Sequence, residues 1–355
     1  MSHIRMHKSS VRVTCLTFLM IGAMMLSALL SNVYASSYES ITRRIEPADG
    51  WRQIVQNSAF QLGGLSTESE SRAYGTYPSI DGSTVAVPMA MEFARQHLGL
   101  SGDDLYGFVF FTTTHSAYLN LFNKRPNQAS KLMSEQVVMD PNHPVELVIC
   151  TEPSDDERAT AAALGVELCE HAAALDAFVF ITHADNPVNS LTVEQIQGIY
   201  SGIIKNWNEV GGNDASILPY QRPANSGSQT AMENLVMKGE PLEAALPNYV
   251  SSGMEGMVQA IGDYNNNASA LGYTYLYYLN ELIDRGSIKV LDVDGAAASA
   301  ENIRSGAYPF STAYYAVYRA EDEDATAGEF TRWILSGEGQ ACVQQAGYIP
   351  VKAVE

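Results

Sequence analysis

The stretch Gln221-Arg222-Pro223-Ala224-Asn225-Ser226-Gly227-Ser228-Gln229-Thr230-Ala231-Met232 has the residue types of a cradle for a small oxyanion. Ser226, Gly227 and Ser228 supply hydroxyls and a Cβ-free backbone. They lie where Gln229 to Met237 reads as the first turns of a helix, whose unpaired N–H groups attract negative charge. Arg222 precedes them and adds a planar, permanently charged fork. A polar N-cap after a loop has the same composition, so the segment gains meaning only beside other features.

Two further segments repeat the arrangement. Asp81-Gly82-Ser83-Thr84 follows a short β-like stretch and precedes a helical run from Val85, which puts Ser83 and Thr84 at a helix start. Phe110-Phe111-Thr112-Thr113-Thr114-His115-Ser116 leaves an apolar run and enters another helix with a row of hydroxyls. In an open α/β sheet, strand C-termini and helix N-termini converge on one edge, so these starts are expected to share a pocket. Each helix end contributes about 0.3–1 kcal/mol through its dipole when exposed, so holding an anion takes several. Glu152, in Cys150-Thr151-Glu152-Pro153-Ser154, would put a carboxylate at the same edge. A carboxylate beside an anion is consistent if the ligand carries a proton, as phosphate does near neutral pH and sulfate does not. The alternative is a solvated Glu152 capping the helix that starts near Ser154.

The elements that must carry these residues alternate β-like runs with helical periodicity from Tyr74 onward, an α/β pattern with largely parallel sheets. Strands are expected at 107–111, 145–150 and 177–182, and helices at 85–97, 116–123, 154–164 and 192–201, the last opened by Ser190-Leu191-Thr192. The tyrosine-rich stretch 272–278 reads as a strand with aromatic packing. Residues 124–144 have no clear period and include an insertion.

Residues 1–35 read as a cleaved secretory leader: Arg5, Lys8 and Arg12 flank an apolar run over 13–30 that ends in Val33-Tyr34-Ala35. No cysteine follows that run, so no lipid-anchored N-terminus is indicated. An N-terminal extension over 36–71 is expected to hold a short helix and a linker. Removing the leader takes the formal charge from −19 to −22. A surface this acidic excludes nucleic acid and anionic membranes as partners, and a bound anion must be held by local dipoles. About 320 residues exceed the growth limit of a single core, so two lobes are expected. Cys150, Cys169 and Cys342 remain. They read as small buried hydrophobes.

No paired ligand spacing links the histidines and cysteines, no Gly-x-Ser-x-Gly elbow surrounds Ser226 or Ser228, and no phosphate-binding glycine loop occurs, so no metal, cofactor or nucleophile is called for. His115 reads as a neighbour of the site.

Several stretches, in this order, resemble the substrate-binding proteins of phosphate ABC transporters, within the periplasmic binding protein superfamily. They are Tyr77-Pro78-Ser79-Ile80-Asp81-Gly82-Ser83-Thr84, Thr114-His115-Ser116-Ala117-Tyr118, Cys150-Thr151-Glu152-Pro153-Ser154, Asp176-Ala177-Phe178-Val179-Phe180 and Asn186-Pro187-Val188-Asn189-Ser190-Leu191-Thr192. Ile199-Tyr200-Ser201-Gly202 with Asn206-Trp207, Gln221-Arg222-Pro223 with Asn225-Ser226-Gly227-Ser228, and Tyr308-Pro309-Phe310 complete them.

The resemblance implies a two-lobed Venus-flytrap fold, α/β, with each lobe a mostly parallel sheet flanked by helices. The first lobe would span 72–175 and 309–355 and the second 176–308, with hinges near Leu175-Asp176 and Tyr308-Pro309. Ser83, Thr84, Thr114 and Glu152 would bind inorganic phosphate from one lobe, and Arg222, Ser226, Gly227 and Ser228 from the other. The family commonly has Asp where this chain has Glu152. The implied protein is a periplasmic monomer that needs no cofactor and delivers phosphate to the permease and ATPase subunits of an ABC transporter. A receptor for sulfate or molybdate, or a secreted phosphohydrolase, are the alternatives on this fold.

Overall fold

The computed structural model describes residues 77–100, 105, 109, 111–127, 143–251, 253–262, 267–283 and 285–352. The expected leader, the extension over 36–71, and residues 128–142 of the segment 124–144 expected to hold an insertion lie outside the described residues. In chain order the elements are β1 (Ile80–Gly82), α1 (Val87–Leu98), α2 (Thr114–Phe122), β2 (Leu147–Cys150), α3 (Asp155–Ala163), β3 (Leu168–His183), β4 (Ser190–Leu191), α4 (Val193–Tyr200), β5 (Leu218–Pro219) and α5 (Gly227–Ala231), followed by a π-helical stretch Met232–Met237. After these come α6 (Met254–Gly262), β6 (Ala270–Tyr275), β7 (Ile288–Val290), β8 (Asp292–Val293), α7 (Ala300–Ser305), β9 (Ser311–Arg319), α8 (Thr326–Ile334), α9 (Gly337–Gln345) and β10 (Ile349–Pro350).

The expected α/β fold is present, organised by two long crossing strands. β3 pairs with β9 and β10 over its first half, and with β6 and β7 over its second. β9 in turn pairs with β2, which pairs with β1. Every pair involving β3 or β9 is antiparallel, whereas β1 with β2, β4 with β8 and β5 with β6 are parallel. Among the described strands, the three ladders that do not involve the crossing strands are parallel. The run Phe178 to Ile181 is wholly apolar and fully buried, as a strand covered on both faces must be. Phe178, Phe180, Tyr200, Tyr273 and Phe310 pack there at ring separations of 5.2–6.3 Å. On the other side, Tyr118, Leu121 and Phe122 of α2 pack with Val148, Cys150 and Val317.

The helices expected from periodicity are all found, with ends set by caps. Ser154 and Glu157 form a capping box for α3, and Thr192 and Gln195 one for α4. Of the strand expected over 107–111 only Val109 and Phe111 are described, and neither lies in a strand; Val109 N–H donates to Leu105 O at 3.2 Å, an i to i−4 bond of helical type. A short apolar run cannot be told from a helical turn by composition. The strand expected over 272–278 ends at Tyr275, and the chain turns helical beyond it. Cys150 and Cys342 are buried free thiols and Cys169 is half-buried and free.

Where β3 passes from one set of partners to the other, Asp176 is buried. Its Oδ1 accepts Ala177 N–H at 2.8 Å and Tyr277 N–H at 3.1 Å, and its Oδ2 accepts the Tyr314 hydroxyl at 2.7 Å. Burial pushes the carboxyl up to about 7 from an ordinary value of 3.8, against the pull of those hydrogen bonds. Between about pH 4 and 7 the unfolded chain has lost this proton and the folded chain keeps it. This carboxyl therefore lowers folding stability as pH rises through that window. Asp176→Asn keeps an acceptor for both N–H groups and offers a donor to the Tyr314 oxygen. Thermal unfolding of this variant is expected to lose less stability than the parent between pH 5 and 8, by on the order of a few kcal/mol. Parallel pH profiles for the two proteins would refute the assignment.

Candidate functional site

The first helix start is fixed by a carboxylate that the sequence presents only as part of a turn. Asp81, at the end of β1, is fully buried and accepts Gly82 N–H at 2.7 Å, Thr112 N–H at 2.8 Å, the Thr112 hydroxyl at 2.9 Å and Asn120 Nδ2 at 3.1 Å. Burial raises its pKa to about 6, and the same hydrogen bonds oppose the rise. One side chain thus ties the end of β1, the chain entering α2 and the body of α2 into a single unit. Gly82 permits the close approach, because a Cβ there would lie 2.3 Å from Ile149 O and 2.9 Å from the Phe111 ring.

Ser83 and Thr114 then meet across Cys150. Ser83 N–H donates to Ile149 O at 3.1 Å, and the Ser83 N–H and the Thr114 hydroxyl both reach the Cys150 thiol, whose pKa burial pushes well up. The Ser83 hydroxyl makes no cap bond to the 3-10 turn Thr84–Ala86, so capping does not consume it. Thr84 opens that turn and is half-buried. In α2 it is Thr113, not Thr114, that caps, accepting Ser116 N–H.

The segment 221–229 hangs on a different wall. Arg222 N–H donates to the Tyr273 hydroxyl at 3.0 Å and to Gln229 Oε1 at 3.1 Å, while Tyr273 itself donates to Gln229 Oε1 at 2.5 Å. The half-buried Arg222 lies in the field of Tyr273, Tyr275 and Tyr278, and desolvation pulls its pKa down, so its charge gains from a nearby anion. Ser226 is the N-cap of α5 and accepts Gln229 N–H at 3.3 Å, which leaves its own proton to donate elsewhere. Gly227 and Ser228 are buried in the first turn of α5.

The two walls touch at Gly227. A Cβ on this residue would lie 2.5 Å from Thr151 Oγ1 and 3.1 Å from Thr114 Oγ1. Tyr275 donates to Gly227 O at 3.0 Å from behind. The structure therefore brings Ser83 to Thr114 through Cys150, and Thr114 to the Ser226–Ser228 turn through Gly227. Glu152 follows Thr151 directly, is half-buried, and exerts its field on Tyr275, Tyr315 and Arg158. It does not cap α3, because Ser154 and Glu157 do so. His115 pairs with Glu157 at 2.8 Å, a neighbour of the site as expected.

Asp81, Cys150, Thr151 and Tyr275 were not singled out from the sequence. Tyr275 had a readable signal: Tyr273 and Tyr275 alternate on one strand and so face one side together. Asp81 had none, since Asp-Gly is the commonest of turn pairs.

Residues 145–338 match the family model described as the PBP superfamily domain, and the chain belongs to that superfamily. The phosphate-binding protein PstS of Borreliella burgdorferi is 27% identical over 183 residues, 50% of this chain and 64% of the relative. PstS of Bacillus subtilis is 28% identical over 186 residues, 52% of this chain and 58% of the relative. The chain thus spans about three fifths of the length of these curated relatives. Among solved structures, a Clostridium perfringens protein assigned to phosphate ABC transport as its substrate-binding protein, crystallised with bound phosphate, superposes with a TM-score of 0.56 at 29% identity, covering 78% of this chain and 99% of that one. A phosphate transport receptor of Vibrio cholerae superposes at 0.52 with 23% identity, covering 76% and 98%, and bears on the fold alone. The resemblance to substrate-binding proteins of phosphate transporters and the two-lobed α/β fold are borne out.

Gly227→Ala tests the close approach. Alanine suits a helical position, so stability is expected to change by less than about 1 kcal/mol. The two walls, however, should fail to meet, which small-angle scattering would register as a larger radius of gyration. Adding Thr151→Ala removes the nearest atom and should restore part of the compaction. An unchanged radius in the single variant would show that the walls tolerate a methyl group there.

Proposed function

We propose that the protein captures inorganic phosphate between its lobes and hands it to the permease and ATPase subunits of an ABC transporter. The observation that carries this reading is the close approach of the Thr114 and Thr151 hydroxyls to Gly227 in the first turn of α5, with Ser83 N–H and Thr114 both at the Cys150 thiol. Ser83, Thr84, Thr114 and Glu152 bind from one wall, and Arg222, Ser226, Gly227 and Ser228 from the other. N–H and hydroxyl donors suit a dehydrated oxyanion, and the desolvated Arg222 supplies the full charge. The phosphate-binding names of the relatives support the ligand.

The first lobe comprises 72–175 and 309–355 and the second 176–308, with hinges at Leu175-Asp176 and Tyr308-Pro309. Closure on the ligand is then a shift between open and closed states. Glu152 accepts the ligand's proton, which selects phosphate over sulfate. The protein works as a monomer outside the cytoplasmic membrane, where the leader read from residues 1–35 would send it, and it binds without turnover. Among the described residues no helix is long and apolar enough to cross a membrane.

Titration calorimetry with phosphate, arsenate, sulfate and molybdate is the test. Phosphate and arsenate are expected to bind and sulfate to fail. Arg222→Ala should weaken phosphate binding by about 1.5–3 kcal/mol, the worth of a charge-assisted contact. Glu152→Gln should admit sulfate; a parent protein that binds sulfate as tightly as phosphate would end the proton-reading role of Glu152. Turnover of a chromogenic phosphate ester would favour a phosphohydrolase instead.

A further inference from the structure

Asn225 joins the two walls by direct side-chain hydrogen bonds. It lies in the loop that enters α5, with a left-handed φ of +61°, a conformation that Asn and Gly tolerate better than other residues. Ser226 N–H donates to Pro223 O at 3.2 Å and closes the turn that holds it there. Across the cleft stands the first turn of α3. The Ser154 hydroxyl donates to Asn225 Oδ1 at 3.1 Å, and Asn225 Nδ2 donates to Asp156 Oδ2 at 3.3 Å. Ser154 can do this while capping, because its oxygen accepts Glu157 N–H at 3.2 Å and its proton remains to give. The amide has one sensible orientation here, since the reverse would set Oδ1 against the Asp156 carboxylate.

We propose that Asn225 is an interlobe latch, a positioning residue that stabilises the closed form by protein-to-protein hydrogen bonds and so governs how fast a bound anion is released. The proposal rests on the reading of the cleft as a phosphate site only for its effect on release; the latch itself is a contact between two walls of the protein. Recognition and retention are thereby separated along one short segment. Arg222, Ser226, Gly227 and Ser228 face the anion, and Asn225, between them in sequence, faces the opposite wall. The partner surface is acidic, with Asp155, Asp156 and Glu157 in the first turn of α3. An amide can bind it, whereas a carboxylate at 225 would open the cleft.

Asn225→Gly is the appropriate variant, because glycine keeps the left-handed φ and removes only the side chain. In stopped-flow measurements with inorganic phosphate, its dissociation rate is expected to rise about three- to tenfold, as for two lost, partly solvated hydrogen bonds, with the association rate nearly unchanged. Asp156→Ala should reproduce part of that rise, and the double variant should fall short of the product of the two effects. Independently of any ligand, small-angle scattering of the anion-free protein should show Asn225→Gly more open than the parent and Asn225→Asp more open still. Adding Asp156→Asn to Asn225→Asp, which exchanges donor and acceptor, should return it toward the parent. Unchanged release together with an unchanged anion-free radius would overturn the latch. Loss of phosphate binding by the parent, with the scattering differences intact, would overturn the phosphate reading and leave the latch standing.

Discussion

A buried carboxylate at a strand crossing sets how the parts of this molecule meet. Asp176 gathers its own strand, β9 through Tyr314, and the chain leaving β6 through Tyr277 at one point. Placing an acid where its charge is disfavoured is costly, and a hydrophobic residue would pack there with less penalty. Hydrophobic packing, however, has no direction. Three donors converging on two oxygens define the angles at which the three chain segments leave the junction. Around this node Tyr277 stacks on Tyr348 at a ring separation of 3.6 Å, and Tyr348 donates to Val85 O just before α1. The junction is thereby linked to the helix start that carries Ser83 and Thr84.

The same economy of polar groups distinguishes the three helix starts. A helix N-terminus needs an acceptor, and an anion needs donors, so a residue that caps with its oxygen still has its proton to offer. At α5, Ser226 caps with its oxygen and keeps its proton to donate. At α2 the roles divide, with Thr113 as cap and Thr114 turned to the Cys150 thiol beside Gly227. At β1 the Ser83 hydroxyl is excused from capping, because Asp81 from below and the Ile149 carbonyl already hold the turn. A structural cap and an anion contact are therefore not competing accounts of a hydroxyl at such a position.

The hydroxyls at the starts of the 3-10 turn 84–86, of α2 and of α5 were readable as helix starts in the sequence because a helix start is a local pattern. The helices followed for the same reason, down to the Thr192 that caps α4, whereas the cap of α3 is Ser154 with Glu157 and not Glu152. What was not legible depends on register and on tertiary contact. The long crossing strands made most pairings antiparallel, since a strand that leaves one sheet and enters the next meets neighbours running against it. Val109 lies in no strand although its run is apolar, as a five-residue run has no period to decide the matter. Asp81 and Asp176 look like a turn residue and a surface acid until the donors that surround them, 31 to 138 residues away, are in place.

An acidic protein that holds an anion must create a positive potential locally against its own net charge of −19. Screening limits the penalty, since exposed carboxylates beyond about 8 Å are largely quenched at physiological salt. The carboxylates that matter are the close ones, Glu152 and the first turn of α3. Asp155, Asp156 and Glu157 neutralise the dipole of α3, so this helix offers no attraction of its own to the anion. Glu157 is further occupied by His115 and by Ser154 N–H, and Asp156 by Asn225. Glu152 takes part in neither the α3 cap nor the Asn225 contact, and in the proposed site accepting a proton from the ligand would turn its repulsion into a hydrogen bond. Under the proposed function, selectivity between anions of one shape would rest on a single carboxylate, and the acidic surroundings would raise the penalty for any ligand that arrives without a proton.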